Sequence, residues 1–361
     1  MKLLRFIAGP ALIGLLAGLV ALLWQHYQNT GGLLIGAPAK SYATAVNRAA
    51  PAVVNIYTTQ LVATSEPRND LLDRFLEAPR RERLLSSLGS GVIVSADGYL
   101  LTSHHVVRDA DEILVALADG REAVAQVVGS DPETDLALLH IELDRLPVMR
   151  LSNGGPVAVG DVVLAIGNPL GVGQTVSLGI VSATGRSQLG IATFENFIQT
   201  DAAINRGNSG GALVDTRGNL IGINTAILSS DGSWQGIGFA TPTAIARAVM
   251  NDLITHGRVI RGWLGVTVQD MTPTLAASFG LSEQRGGLVA EVLRDSPAWR
   301  GGVRPGDVLV GINETSLKDG YEAMNIIAGT KPGTTLSLSV IRNGQPLALS
   351  VTIGTRPQVV Q

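Results

Sequence analysis

The chain has 361 residues, 45% of them hydrophobic, and a net charge of −3, enough for two or three domains around large cores. With no long basic run it does not suit nucleic acid, and with no cysteine it excludes disulfides, thiol nucleophiles and cysteine metal sites. Five histidines without paired helical spacing give no metal site, and 43 glycines beside many Val, Ile and Thr favour β structure with tight turns.

Lys2 and Arg5 precede an uncharged apolar run from Phe6 to Trp24. As a helix this run spans about 29 Å, close to the hydrocarbon thickness of a bilayer. Trp24 and Tyr27 then fall where an interfacial aromatic belt belongs. A cleaved signal peptide is the competing reading. Gln25-His26-Tyr27-Gln28 offers no small-x-small site, however, and Ala37-Pro38-Ala39 lies well downstream with Pro inside it. The expectation is an uncleaved single-pass anchor over residues 1–28, its positive end cytoplasmic and the rest outside, and a Gly-rich linker over 29–40.

Residues 41–256 read as a mainly β domain. A short helix over Ser41–Ala50 stops at Pro51, and Val53–Thr58 is a strand. Glu66–Arg83 reads as a long exposed loop. Short strands then follow over 89–95, 99–102, 113–117, 123–129, 136–141, 162–166, 174–182, 198–200, 212–215 and 220–228, with Asp97-Gly98 and Asp119-Gly120 as turns. Such spacing indicates all-β barrels or sandwiches. Pro242–His256 closes the domain as an amphipathic helix with Ile245, Val249, Leu253 and Ile254 on one stripe.

Three stretches in this domain carry chemistry. In Gly207-Asn208-Ser209-Gly210-Gly211, glycines flank one hydroxyl and leave room for an incoming carbonyl, while the apolar strand Ala212-Leu213-Val214 mounts the loop rigidly. Ser209 is the candidate nucleophile. The amides of the Gly207-Asn208-Ser209 turn, chiefly those of Gly207 and Ser209, are the candidate oxyanion donors. His104 and His105 follow a strand, which suits a general base. Asp135 opens the apolar strand Leu136-Ala137-Leu138-Leu139, so a part-buried carboxylate there needs a partner.

Thr102-Ser103-His104-His105-Val106, Asp135-Leu136-Ala137-Leu138 and Gly207–Leu213 resemble the three signatures of the HtrA (Deg) family of serine proteases. The resemblance covers about Ser41–Ile353. It implies a chymotrypsin-like double β-barrel over 41–256, followed by a PDZ domain over 261–357. It also implies a serine endopeptidase working through an acyl-enzyme, with Ser209 attacking, His105 moving the proton and Asp135 fixing the imidazole. His104, at a position usually held by another polar residue, stays the rival base. Asn208 stands where zymogens of the digestive relatives carry an Asp that pairs with a freed N-terminal amine. The oxyanion loop must therefore be ordered otherwise, and Arg186 matches an arginine that relays such ordering. Ile204 and Leu228 match first-pocket positions, favouring small aliphatic residues before the cut.

After His256-Gly257-Arg258 the pattern restarts with strands at 262–266, 287–292, 308–313, 336–342 and 347–353, a helical turn at Ser296-Pro297-Ala298 and a helix over Gly320–Ala328. This part is similar to HtrA-type PDZ domains. By that resemblance Trp263, Leu264 and Gly265 form the carboxylate-binding loop, Val266 starts the edge strand and Met324 lines the pocket. Anchor, protease and a single PDZ domain together resemble the DegS-like, membrane-anchored branch of the family. That branch implies an envelope stress sensor in the bacterial inner membrane, with its catalytic and PDZ domains in the periplasm. Its implied substrate is a membrane-bound anti-sigma factor, and its activators are C-terminal peptides of unfolded outer-membrane proteins. A homotrimer contacting through the segment around Tyr42 is implied too, with no cofactor. A general periplasmic quality-control protease or chaperone remains the alternative.

Overall fold

The computed structural model describes residues 14, 16–22, 25, 41–63, 82–152, 155, 157–168, 173–205, 207–227, 236–279, 281 and 285–357. Most of the expected anchor, the linker, Leu228 and nearly all of the expected loop 66–83 lie outside the described residues. Residues 14, 16–22 and 25 are helical, and among the described residues no helix is long and apolar enough to cross a membrane.

The first β layer holds β1 (Val53–Ala63), β2 (Glu82–Ile93), β3 (Tyr99–Ser103), β4 (Glu112–Ala116), β5 (Glu122–Val124), β6 (Gln126–Asp131) and β7 (Leu136–His140). They pair in the order β5-β4-β1-β2-β3-β7-β6. The two ends of this path, β5 and β6, are separated in the chain by Ala125 alone, whose amide donates to Ile113 O at 2.8 Å. The sheet thus closes through the chain itself, and β5 and β6 act as one bent strand of a barrel. Its core takes every second residue of its strands: Val54 and Ile56, Ile113 and Val115, Ala137 and Leu139. Each such aliphatic side chain contributes about 1.5–3 kcal/mol on burial. β1 and β2 run longer than their local pattern predicts, paired from Val53↔Val92 to Ala63↔Glu82. Glu82 and Arg83 therefore belong to a strand and not to the expected loop, because long-range pairing overrides a charged local sequence.

β8 (Val162–Gly167), β9 (Thr175–Arg186), β10 (Phe197–Thr200), β11 (Ala212–Asp215), β12 (Leu220–Ile227) and β13 (Gly238–Pro242) form a closed barrel in the order β10-β13-β12-β11-β8-β9. Val163, Ala165, Val181, Ile198, Leu213 and Ala240 fill it. The helix Thr243–His256 follows and buries Thr243, Ala246, Val249 and Leu253. Ile254, expected on that stripe, is 45% exposed. It lies about 100° around the helix from Leu253, and Ala246 takes the inner position instead.

The C-terminal domain pairs β14 (Gly262–Trp263) with β21 (Gly354–Thr355). Its main sheet runs β15 (Val266–Asp270), β16 (Gly287–Val292), β17 (Val308–Ile312), β19 (Thr335–Arg342) and β20 (Gln345–Thr352), with β18 (Thr315–Ser316) beside β17. β15 is an edge strand. The helix Gly320–Gly329 starts where Asp319 accepts from Glu322 N at 2.8 Å while Glu322 reaches back to Lys318 N at 2.7 Å. A helix over Pro273–Ser278, not foreseen above, is announced by Thr272-Pro273, and Thr272 Oγ1 caps Leu275 N.

The two domains are joined by charged contacts, one pair buried and one half-buried. Arg261 donates to both oxygens of Asp131, at 2.9 Å to Oδ1, and its Nη1 lies 3.2 Å from Glu133. Arg356 Nη2 meets the other Glu133 oxygen at 2.9 Å. Both guanidiniums lie over the Phe194 ring, at 4.6 and 5.0 Å from its centre.

Candidate active site

His105 Nδ1 donates to Asp135 Oδ2 at 2.7 Å, and the His105 amide donates to Asp135 Oδ1 at 3.0 Å. A third bond, His104 N to Asp135 O at 3.0 Å, holds the backbone of the same residue. These contacts maintain Asp135 at φ +55°, a left-handed conformation costing a non-glycine residue about 1–3 kcal/mol. Asp135 is buried while the His105 ring stays open to solvent. With its proton on Nδ1, the imidazole presents Nε2 as a base.

His104 is placed differently. Its ring does not pair with Asp135, and its Nδ1 is buried with no hydrogen-bond partner among the described residues. Burial holds this imidazole below its ordinary value of 6.5; Asp135 pulls upward, while Arg108 and His105 push down. Of the two rivals, His105 is the one bonded to the carboxylate.

The Ser209 loop is fastened to both barrels. Ser90 N donates to Ser209 O at 2.9 Å, and Ser90 Oγ donates to Gly207 O at 2.6 Å while accepting from Asn168 N at 2.9 Å. Gly210 N donates to Asn224 O at 2.7 Å, an oxygen also approached by Ser103 Oγ at 3.5 Å. Gly210 has φ +82°, and a Cβ there would collide with Ser90 O and Thr102 Oγ1, so only glycine fits. This close approach sets Gly210 against the Ser103 backbone, at the start of the segment that carries His105. Ser209 Oγ makes no hydrogen bond to a described residue, in keeping with apo sites whose catalytic bonds tighten on substrate binding.

The Gly207 and Ser209 amides donate to no other described residue. The Asn208 amide differs from expectation. It donates to Asn205 O at 3.0 Å, so the local turn consumes it and it cannot serve as an oxyanion donor. The Asn208 side chain is buried; its Nδ2 reaches Ala203 O at 3.3 Å and its Oδ1 has no partner among the described residues.

Other expected residues are dispersed. Ile204 is buried in the second barrel's core, against Gly238. Arg186 ends β9, and its Nε donates to Gln199 Oε1 at 2.7 Å rather than to the Ser209 loop. Ser90, Asn168 and Asn224, which brace the loop, were not foreseen. The Gly89-Ser90-Gly91 pattern, a second glycine-flanked serine, was the available signal.

In the C-terminal domain a cleft of about 480 Å³ opens between β15 and the helix Gly320–Gly329. Trp263, Leu264, Gly265, Val266 and Met324 all line it, together with Phe194 of the protease domain. The loop carrying Phe194 is shaped from within. The buried Glu195 carboxylate accepts from Leu189 N at 2.6 Å, Ile191 N at 2.7 Å and Ala192 N at 3.2 Å. Glu195 O in turn accepts from Asn325 Nδ2 on the PDZ-side helix at 2.7 Å.

A family model for a trypsin-like peptidase domain matches residues 89–223, and one for a PDZ domain matches 262–353. A probable periplasmic serine endoprotease, DegP-like, of Ectopseudomonas mendocina is 43% identical over 94% of this chain and 75% of its own length. The chain belongs to the HtrA family of serine endoproteases. Among solved structures, the HtrA-type protease AlgW with a decapeptide is 56% identical, with a TM-score of 0.73 over 88% of this chain and 100% of that one. AlgW with a tripeptide gives 57% and 0.74 over 88% and 98%. The serine endoprotease from Yersinia pestis gives 43% and 0.63 over 89% and 100%. As an HtrA-type enzyme, this chain is a serine endoprotease of the periplasmic type, with a trypsin-like catalytic domain and one matched PDZ domain.

Proposed function

We propose that this HtrA-type chain is an envelope sensor protease, in which Ser209, His105 and Asp135 cut a periplasmic segment of a membrane-bound anti-sigma factor in response to C-terminal peptides of unfolded outer-membrane proteins. Ser209 attacks the scissile carbonyl, His105 Nε2 takes the proton and returns it to the leaving amine, and Asp135 holds the tautomer. The Gly207 and Ser209 amides receive the oxyanion. The assignment of Ile204 and Leu228 to an aliphatic first pocket rests on the family resemblance alone, because Ile204 is buried in the second barrel's core and Leu228 lies outside the described residues.

The observation that carries this reading is the position of Phe194. It lies on a protease loop between β9 and β10, yet it forms part of the wall of the peptide cleft. A peptide adding a strand to β15 therefore meets a residue of the catalytic domain directly. The solved relatives that carry a decapeptide or a tripeptide support a peptide ligand. Couplings of this kind typically amount to about 1–3 kcal/mol, comparable to restoring part of one oxyanion-donor contact. A relay through Arg186 would start from its bond to Gln199.

The apolar run Phe6–Trp24 supports a single inner-membrane pass at residues 1–28, and the described part of it exposes Leu16, Leu19, Val20 and Leu22. A homotrimer is supported by the exposed stripe Val176, Leu178 and Ile180 on β9. Gln174 Nε2, just before that strand, donates to Ala50 O and Val53 O at the start of the first barrel.

The test is cleavage of a candidate anti-sigma periplasmic segment, with and without a peptide ending in apolar aromatic residues. Peptide-stimulated cleavage that vanishes in Ser209→Ala is expected. Digestion of unfolded casein at full rate without peptide would favour the quality-control alternative, to which the DegP-like relatives lend their name.

A further inference from the structure

The cleft just described has only two charged residues in its lining among the described residues, Arg356 and Asp270, and they stand at opposite ends. Arg356 is fixed at the carboxylate-loop end. Thr355 pairs with Gly262, and Arg356 N donates to Arg261 O at 3.0 Å. Its guanidinium stands 5.0 Å above the centre of Phe194, itself a wall residue. Asp270 is the last residue of β15, four positions beyond Val266, or about 13 Å along the strand. Its Oδ1 accepts from Gly320 N at 3.1 Å and its Oδ2 from Gln188 Nε2 at 2.8 Å.

We propose that this cleft is charge-polarised, and that Arg356 and Asp270 are specificity-determining residues, Arg356 adding a side-chain contact to the terminal carboxylate expected at the Trp263-Leu264-Gly265 loop and Asp270 selecting a basic side chain about four residues upstream. The inference rests on the peptide reading given above. A strand added antiparallel to β15 runs its C terminus toward Val266 and its upstream residues toward Asp270, so the ends of ligand and cleft match in sign. The Arg356 guanidinium offers paired donors suited to a carboxylate. Its current partner, Glu133, also lies 3.2 Å from Arg261, so Arg356 can turn toward a ligand without stranding a lone acid. At the other end Asp270 keeps lone pairs beyond its two bonds, and opposite charges across neighbouring strands attract modestly.

The test uses the full chain carrying Ser209→Ala, to prevent cleavage, and fluorescence anisotropy with labelled decapeptides. The peptides are made as free acid or C-terminal amide, and with Lys or Glu four residues before the end. The parent should prefer acid over amide by about tenfold or more. Arg356→Ala should reduce that preference to about twofold while leaving amide binding nearly unchanged, and Arg356→Lys should retain part of it. Asp270→Asn should abolish a Lys-over-Glu preference of about two- to fivefold and spare the acid preference. If Arg356→Ala weakens acid and amide equally, its role is structural and the assignment is overturned. An unchanged acid preference overturns it too. Failure of every peptide to bind the parent would instead overturn the peptide reading beneath it.

Discussion

The catalytic loop and the peptide cleft are built by opposite strategies. Around Ser209, segments distant in sequence fasten one another: Ser90 to Gly207 and Ser209, Asn224 to Gly210, Asp135 to His104 and His105. The cleft has a free strand edge, two charges apart from each other and a wall borrowed from the other domain. The catalytic side is held by bonds already made before substrate arrives, whereas the cleft keeps an open strand edge and charged groups with bonding capacity to spare for a ligand.

The sharpest way to break this contrast is to loosen the fastened side. Asp135→Asn should lower kcat about 10⁴-fold with the fold retained, since the His105 tautomer is then no longer imposed. A smaller loss would mean that another group orients the ring. Ser90→Ala comes next. It deprives Gly207 O and Asn168 N of a buried partner, so urea denaturation should report a stability loss of about 1–3 kcal/mol, and kcat should fall more than KM rises.

On the open side the effects should be confined to ligand response. Met324→Lys puts a charge into the apolar cleft and should raise the activating peptide's half-maximal concentration about tenfold or more. Basal cleavage without peptide should not change. A parallel drop in basal cleavage would erase the distinction between the two regions.

The smallest effect concerns His104. Its folded value lies below 6.5, so the unfolded chain binds a proton there more readily and stability falls as pH drops from 6.5 toward that lowered value. His104→Asn should flatten this slope in denaturant midpoints measured below pH 6.5 and leave proteolysis near neutral pH essentially unchanged.

The same contrast explains what could be read in advance. The Asp135–His105 contact was legible because an acid opening an apolar strand and a histidine following a strand are short local patterns, and the glycine-flanked Ser209 is a local pattern of the same kind. Barrel strands were legible from their period of two. Cross-domain bonds such as Arg261–Asp131 and Arg356–Glu133 leave no local period, because each joins positions far apart in the chain. The Asn208 amide misled for a related reason: composition places it in the oxyanion turn, but only backbone geometry reveals that it turns inward to Asn205. Ile254 likewise fits an apolar stripe on paper, yet the packed face is centred on Ala246, Val249 and Leu253.

The most direct measurement is active-site labelling of the full chain with a serine-reactive phosphonate, mapped by mass spectrometry. One adduct on Ser209 is predicted, lost in Ser209→Ala and in His105→Ala and retained in His104→Asn. An adduct on another serine, or labelling that survives His105→Ala and disappears in His104→Asn, would contradict the account.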